Sequence, residues 1–239
     1  MHKLFPKIIM MVCLIGISYY YHYDEIMFKK PQSVHKWRQA DGASIALNYY
    51  QGGMNFFEPE IHNLTADNGT SGKGCPSEIP ILYYGVALLY KIFGYHDFIY
   101  RIIITLLFLA GLTYLFKLFQ YILTDAFWSV CLTLLFFTSP VLVFYGNNFL
   151  TNIPALAFSI IGLYYLIRFF DEDKRKYYYR AMSFFLLAGA FKVSALFCFI
   201  AFVIMLLMEW FRVVKFDQLK KLSKKPLFYL LPILLLLTK

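Results

Sequence analysis

Apolar residues gather in seven runs: Ile8–Tyr23, Ile79–Phe93, Phe98–Phe116, Ala126–Tyr145, Phe149–Ile167, Ala181–Phe211 and Leu227–Leu237. Several approach the roughly 20 residues that an α-helix needs to cross a hydrocarbon core about 30 Å thick. The pattern predicts an all-α polytopic membrane protein. Polar residues cluster between the first two runs and in two short basic stretches further on.

Those basic stretches set the expected topology. Arg168–Arg180, "RFFDEDKRKYYYR", carries five Lys/Arg and Arg212–Lys225 carries six, so both are expected in the cytoplasm. Counting back, the run from Phe149 descends, the run from Ala126 ascends and the run from Phe98 descends, which leaves residues 94–97 outside. The first run also ends outside. The piece between, "IPILYYGVALLYKIF", must therefore enter and leave on one side; its 15 residues reach only about 22 Å as a helix. A juxtamembrane or re-entrant helix is expected there. The domains read as a first transmembrane helix over 1–23, an external loop with juxtamembrane helices over 24–97, and a transmembrane bundle over 98–239. The last apolar run, of 11 residues, is too short to span and suggests the N-terminal part of a longer protein or a truncated gene product.

Ala181–Phe211 has basic stretches on both flanks and Lys192 near its middle. Two short helices hinged near Gly189–Ser194 keep both flanks inside and lift Lys192 toward the external half. A charge at mid-membrane depth is costly unless it faces a cavity or a partner, and so suggests a site. The alternative is a lysine that snorkels or pairs for packing.

Composition then narrows the partners. The net charge of +9 would suit nucleic acid in a soluble chain. Here the basic residues sit at the ends of apolar runs, where the positive-inside rule accounts for them, and no nucleic-acid partner is implied. The basic, apolar N-terminus resembles a signal peptide, but no small-x-small site follows; the run ends in "YYYHY", an aromatic girdle. It reads as an uncleaved span with a cytoplasmic N-terminus. Cys13, Cys131 and Cys198 lie in apolar runs and Cys75 in a polar loop, with no metal-ligand spacing. The sequons at Asn63 and Asn68 carry little weight, because three-residue motifs recur by chance.

The external loop opens with "KWRQADGASIALNYYQGG". Ile45 with Tyr49 and Ala46 with Tyr50 are four apart, and Gly52-Gly53 is a stop signal, so residues 42–53 are expected to form a surface helix with Arg38 and Asp41 just before its N-terminus. Glu78 precedes the juxtamembrane helix, with Pro80 in its first turn. Two carboxylates and an arginine thus border one membrane-surface region. A lipid-borne phosphosugar places its phosphate at headgroup level. A transferase acting there needs a carboxylate to deprotonate an acceptor hydroxyl and cations to hold the leaving phosphate. Asp41, Glu78, Arg38 and Lys192 supply these groups.

In order, "ADGASIA", "EPEI", "SEIPILYYGVALLYKIFG", "YRIIITLLFLAGLTYLF", "TSPVLVFYGNNFLTNIPALAFSIIGLYYLIRF" and "AGAFKVSAL" resemble the N-terminal half of bacterial membrane glycosyltransferases. The family is that of the protein O-mannosyltransferases and aminoarabinose transferases, with the GT-C fold, and the resemblance covers roughly residues 35–210. It implies a polyprenyl-phosphate sugar donor, a glycan or lipid acceptor, membrane lipid as surroundings, an inverting mechanism, and a bacterial inner membrane with the active site outside. Asp41 matches the family's external-loop catalytic acid, with Gly42 where a Glu is usual. Glu78 matches an acid tied to metal or donor phosphate, followed by Ile79 where Lys is frequent. Arg101 matches the Arg opening the next span, Asn152 stands where an Asp is usual, and Lys192 matches a lysine near the donor phosphate. Tyr83 joins the substrate-binding set as an aromatic that could stack on a sugar. No cofactor is required by this set. A divalent metal at Asp41 and Glu78 is compatible with it, although Gly42 and Asn152 remove two acids that would help to hold one.

Plainer readings stand beside each of these. Asp41 and Glu78 could be acids at helix starts, Arg38 a headgroup anchor, Arg101 an interfacial snorkel, Asn152 a cap, and Trp37, Tyr83 and Tyr84 interfacial aromatics. For the whole chain, the alternative to an enzyme is a membrane carrier or scaffold that binds a lipid-linked glycan without transforming it.

Overall fold

The computed structural model describes residues 5–63 and 78–215. Cys75, the Asn68 sequon, the last two residues of the Asn63 sequon and the run Leu227–Leu237 lie outside the described residues. The chain divides into two compact units, Met1–Ile153 and Pro154–Lys239.

Within the described residues the first unit is mainly helical. Helix α1 (Phe5–Tyr20) is apolar, and the single turn α2 (Tyr23–Ile26) follows it. The Tyr23 hydroxyl donates to the Val143 carbonyl at 2.6 Å, and its ring meets Phe137 edge-on, which ties this turn to chain 120 residues away. Helix α3 (Lys36–Gly52) begins six residues before the expected start. Arg38 and Asp41 therefore lie inside the helix, three apart and on one face, and not ahead of its N-terminus. The start escapes a sequence reading because His35 precedes it in the left-handed region, at φ 55°, with no side-chain cap bond. Gln39 is almost wholly buried, and its amide donates to the carbonyls of Gln32 and Val34, both at 3.0 Å, which pins the incoming chain to the helix.

Helix α4 (Ile81–Phe93) has 13 residues, which is short for a span. It lies beside α3 with contacts advancing in step: Gly42 stands at Tyr83, and Tyr50 meets Tyr90 edge-on at 6.0 Å. The two helices thus run in the same direction. Helix α5 (Asp97–Leu123) packs on α6 (Ala126–Phe137), with Phe108 against Phe137 at 5.7 Å. The Asp125 carboxylate caps α6 by accepting from the Trp128 N–H at 3.0 Å.

The apolar run Ala126–Tyr145 is not one helix. It breaks at Thr138-Ser139, and α7 (Pro140–Tyr145) restarts with Pro140 in its first turn. Proline disfavours helical backbone in the residue before it and suits a first turn, which accounts for the break. The following segment, residues 146–151, is buried throughout.

Helix α8 (Asn152–Glu172) starts in the last residues of the first unit and continues through the second. It packs on α9 (Arg175–Phe191) through ring stacks of Phe158 on Phe191 at 5.4 Å and Tyr165 on Phe184 at 5.9 Å. Gly162 admits the Phe185 ring, since a Cβ there would stand 2.7 Å from it. Lys192 is extended, and a 3-10 turn over Val193–Leu196 leads into α10 (Phe197–Trp210). The long run Ala181–Phe211 is therefore interrupted inside the expected hinge. Among the described residues, three stretches are long and apolar enough to cross a membrane: Asp97–Leu123, Asn152–Glu172 and Val193–Trp210. The protein is an all-α polytopic membrane protein.

Candidate active site

The cluster forms where α3 meets the start of α4. An Arg38 guanidinium nitrogen donates to one Glu78 oxygen at 2.7 Å, and the Tyr83 hydroxyl donates to the other at 2.9 Å. Glu78 is 8 % exposed. Leaving its water costs far more than an exposed pair would, so both oxygens need these partners. Arg38 is partly exposed and, among the described residues, uses one of its five N–H groups on Glu78. Burial, reinforced by the Glu78 carboxylate, holds the Tyr83 phenol well above its ordinary range, so that it stays protonated and donating.

Asp41 sits one turn beyond Arg38 on the same face. Among the described residues its carboxylate accepts no hydrogen bond and forms no salt bridge, while its backbone carbonyl accepts from Ser44 at 2.8 Å. Partial burial pushes its carboxyl above the ordinary value, and the Arg38 charge opposes part of that rise. A carboxylate left unpaired beside a neutralised Arg–Glu pair, with its affinity for protons raised, is suited to take a proton from a hydroxyl.

Gly42, next to Asp41, lies where the backbone of α3 passes close to its neighbours. A Cβ there would lie 2.8 Å from the Phe149 carbonyl oxygen, 3.3 Å from the Tyr83 ring and 3.4 Å from the Tyr100 hydroxyl. The Tyr100 hydroxyl itself donates to Phe149 O at 3.2 Å. A glutamate cannot occupy this position without moving α3 off the buried 146–151 segment, which explains physically why the Asp41 neighbour has no side chain.

The other residues singled out in the sequence lie elsewhere. Arg101 in α5 is 1 % exposed. It donates to the carbonyls of Lys29 at 2.9 Å, Lys30 at 3.1 Å and Asn147, and stacks on Phe149. In this position it clamps three chain segments together. Asn152 opens α8. Lys192 belongs to the second unit, at the break between α9 and the 3-10 turn. The structure thus brings Arg38, Asp41, Glu78 and Tyr83 together in the first unit. It adds Tyr100 and Gly42, whose roles depend on contacts with residue 149 that no local pattern announces.

With both Glu78 oxygens engaged, Asp41 is the free carboxylate among the described residues of this cluster. Among the described residues, no three His, Cys, Asp or Glu side chains converge as a metal-binding group. The mechanism below routes no step through a metal.

Spanning helices, with a charged cluster where α3 meets the start of α4, define a membrane protein. Residues 76–238 match the family model described as dolichyl-phosphate-mannose-protein mannosyltransferase, and the chain belongs to that family. Glu78 and Tyr83 fall within the match; Arg38 and Asp41 precede it. No curated protein and no solved structure gives a match. The family is one of membrane glycosyltransferases that use a polyprenyl-phosphate-linked sugar donor.

Proposed function

We propose that this protein transfers a sugar from a polyprenyl-phosphate donor to a glycan or lipid acceptor at the external face of a bacterial inner membrane, with inversion at the anomeric carbon. Asp41 takes the proton of the acceptor hydroxyl. The hydroxyl oxygen bonds to the anomeric carbon as the bond from that carbon to the phosphate oxygen breaks, and the electron pair leaves with the polyprenyl phosphate. Arg38 meets the developing charge through the N–H groups that Glu78 leaves free. Glu78 and Tyr83 hold that guanidinium in one orientation, so Arg38 acts by directed hydrogen bonds more than by net charge. Lys192 is proposed as a second contact for a donor phosphate on its sequence match alone, and Lys192→Met tests it separately.

The observation that supports this reading best is the unpaired, partly buried Asp41 one helical turn from the Arg38–Glu78 pair. The test is incubation of the protein in lipid nanodiscs with a panel of labelled polyprenyl-phosphate sugars and membrane-extract acceptors, with the anomeric configuration of any product read by NMR. Inverted product supports the proposal, and retained configuration sinks the single-displacement mechanism. Donor binding without transfer across the panel would favour a carrier or scaffold.

A further inference from the structure

The chain between α2 and α3 presents a surface outside the Asp41 cluster. Residues 28–30 and 32–37 are all exposed, among them Phe28 at 72 %, Val34 at 57 % and Trp37 at 64 %. Lys29, Lys30 and Lys36 stand between them, and the sequence has no acidic residue over 26–40. Lys29 makes one loose contact with exposed Glu25 at 3.8 Å. Among the described residues, Lys30 and Lys36 form no ion pair.

The backbone of this segment is gripped from the protein side. Arg101, 1 % exposed, donates to the carbonyls of Lys29 and Lys30, and buried Gln39 donates to those of Gln32 and Val34. With these carbonyls held against buried groups, the apolar and basic side chains are left on the outer surface. Phe28 also lies beside Phe98 at 5.9 Å. Phe98 and Arg101 belong to the start of α5, and that sets the depth of the segment. The 27 residues of α5 reach about 40 Å at about 1.5 Å each, close to the roughly 40–45 Å of a bilayer with its headgroups. The first turn of such a span lies at headgroup level, and the segment bound to it lies there too. At that level aromatic rings are favoured and anionic headgroups attract lysine. The positive-inside rule does not account for these lysines, because this end of α5 is external on the function proposed above.

We propose that residues 28–37 are a docking surface for an anionic phospholipid. The ammonium groups of Lys29, Lys30 and Lys36 hold the headgroup phosphate, and Phe28, Val34 and Trp37 lie among the upper acyl-chain carbons. A backbone fixed in advance lowers the ordering cost of taking up this lipid. The surface leads directly into α3, so the bound lipid sets Asp41 at the height of a lipid-borne phosphate. The external placement rests on the function proposed above; the lipid binding does not.

Trp37 is one of three tryptophans. The other two, Trp128 and Trp210, are exposed, and the Asp125 cap uses only the Trp128 backbone. The Trp128→Phe/Trp210→Phe protein therefore carries a single fluorescent probe inside the segment. The test is quenching of that probe in phosphatidylcholine nanodiscs that contain a minor fraction of brominated phosphatidylglycerol or, separately, the same fraction of brominated phosphatidylcholine. Quenching should be stronger with the brominated phosphatidylglycerol. Lys29→Gln/Lys30→Gln/Lys36→Gln should abolish the difference and leave quenching by phosphatidylcholine, since each lysine at an anionic surface is worth roughly fivefold in lipid association. Asp41→Asn should keep the preference while losing transfer, so the surface and the reaction can fail independently. Absence of quenching by either lipid, as expected if the surface docks a protein instead, would overturn the proposal. Equal quenching by the two lipids, or a preference that survives the triple substitution, would overturn it as well.

Discussion

Replacing Gly42 by alanine pits two effects of opposite sign against each other. Gly42 lies inside α3 with ordinary helical backbone, and in an open helix Gly→Ala stabilises by roughly 1 kcal/mol. Here the new methyl would meet the Phe149 carbonyl oxygen at 2.8 Å, with the Tyr83 ring at 3.3 Å and the Tyr100 hydroxyl at 3.4 Å. The nearest of these is backbone in a buried segment, so it cannot swing aside as a side-chain tip would. Overpacking of this kind costs about 1–3 kcal/mol. With a rigid neighbour the upper part of that range applies, and after subtracting the helix gain Gly42→Ala should destabilise by roughly 1–2 kcal/mol. The methyl also wedges α3 away from Tyr83, which loosens the Arg38–Glu78–Tyr83 arrangement, so transfer should fall more than stability alone requires. Thermal unfolding in detergent reads the first effect, and initial transfer rates at equal folded protein read the second. A Gly42→Ala protein more stable than wild type would refute the close approach on which this reasoning depends.

Tyr83→Phe leaves one buried Glu78 oxygen without its donor and should cost about 1–3 kcal/mol, with a lower maximal transfer rate, measured by unfolding and by saturation kinetics. Arg101→Lys cannot reproduce a planar fork shared among three carbonyls; it should lose at least ~2 kcal/mol in unfolding experiments, with donor affinity little changed in whatever protein remains folded. The raised Asp41 carboxyl makes its own pH signature. A group whose affinity for protons is higher in the folded protein contributes stability at pH below its ordinary value and loses that contribution as pH rises through its folded value. Asp41→Asn should therefore unfold at higher temperature than wild type at neutral pH, with the difference vanishing in acid. In the wild type, transfer should rise with pH as Asp41 ionises, with a midpoint above the ordinary aspartate value.

Much of the architecture was legible because a membrane span leaves a long apolar signature, as in α5 and α8. The interruption at Lys192 was also readable, since a charge in the middle of an apolar run with Gly189 nearby resists a single straight helix. The break at Thr138-Ser139 was hidden inside an unbroken apolar run, although Pro140 is the local cause. The early start of α3 left no trace because its entry has no capping side chain, and the residue that secures it, Gln39, bonds to backbone. At the site, residue types at α3 and before α4 could be picked out, but their pairing could not. Arg38 and Glu78 stand 40 positions apart, and only the packing of α3 on α4 joins them. Arg101 shows the limit most clearly, because its partners are carbonyls from two distant segments and carbonyls are the same in every sequence.

The most direct measurement of the central claim is the initial rate of label transfer from polyprenyl-phosphate sugar by wild type and Asp41→Asn, at equal amounts of folded protein in nanodiscs. The account predicts measurable transfer by the wild type and its loss in the variant while the variant remains folded. Full transfer by Asp41→Asn would contradict it and remove Asp41 from the chemistry.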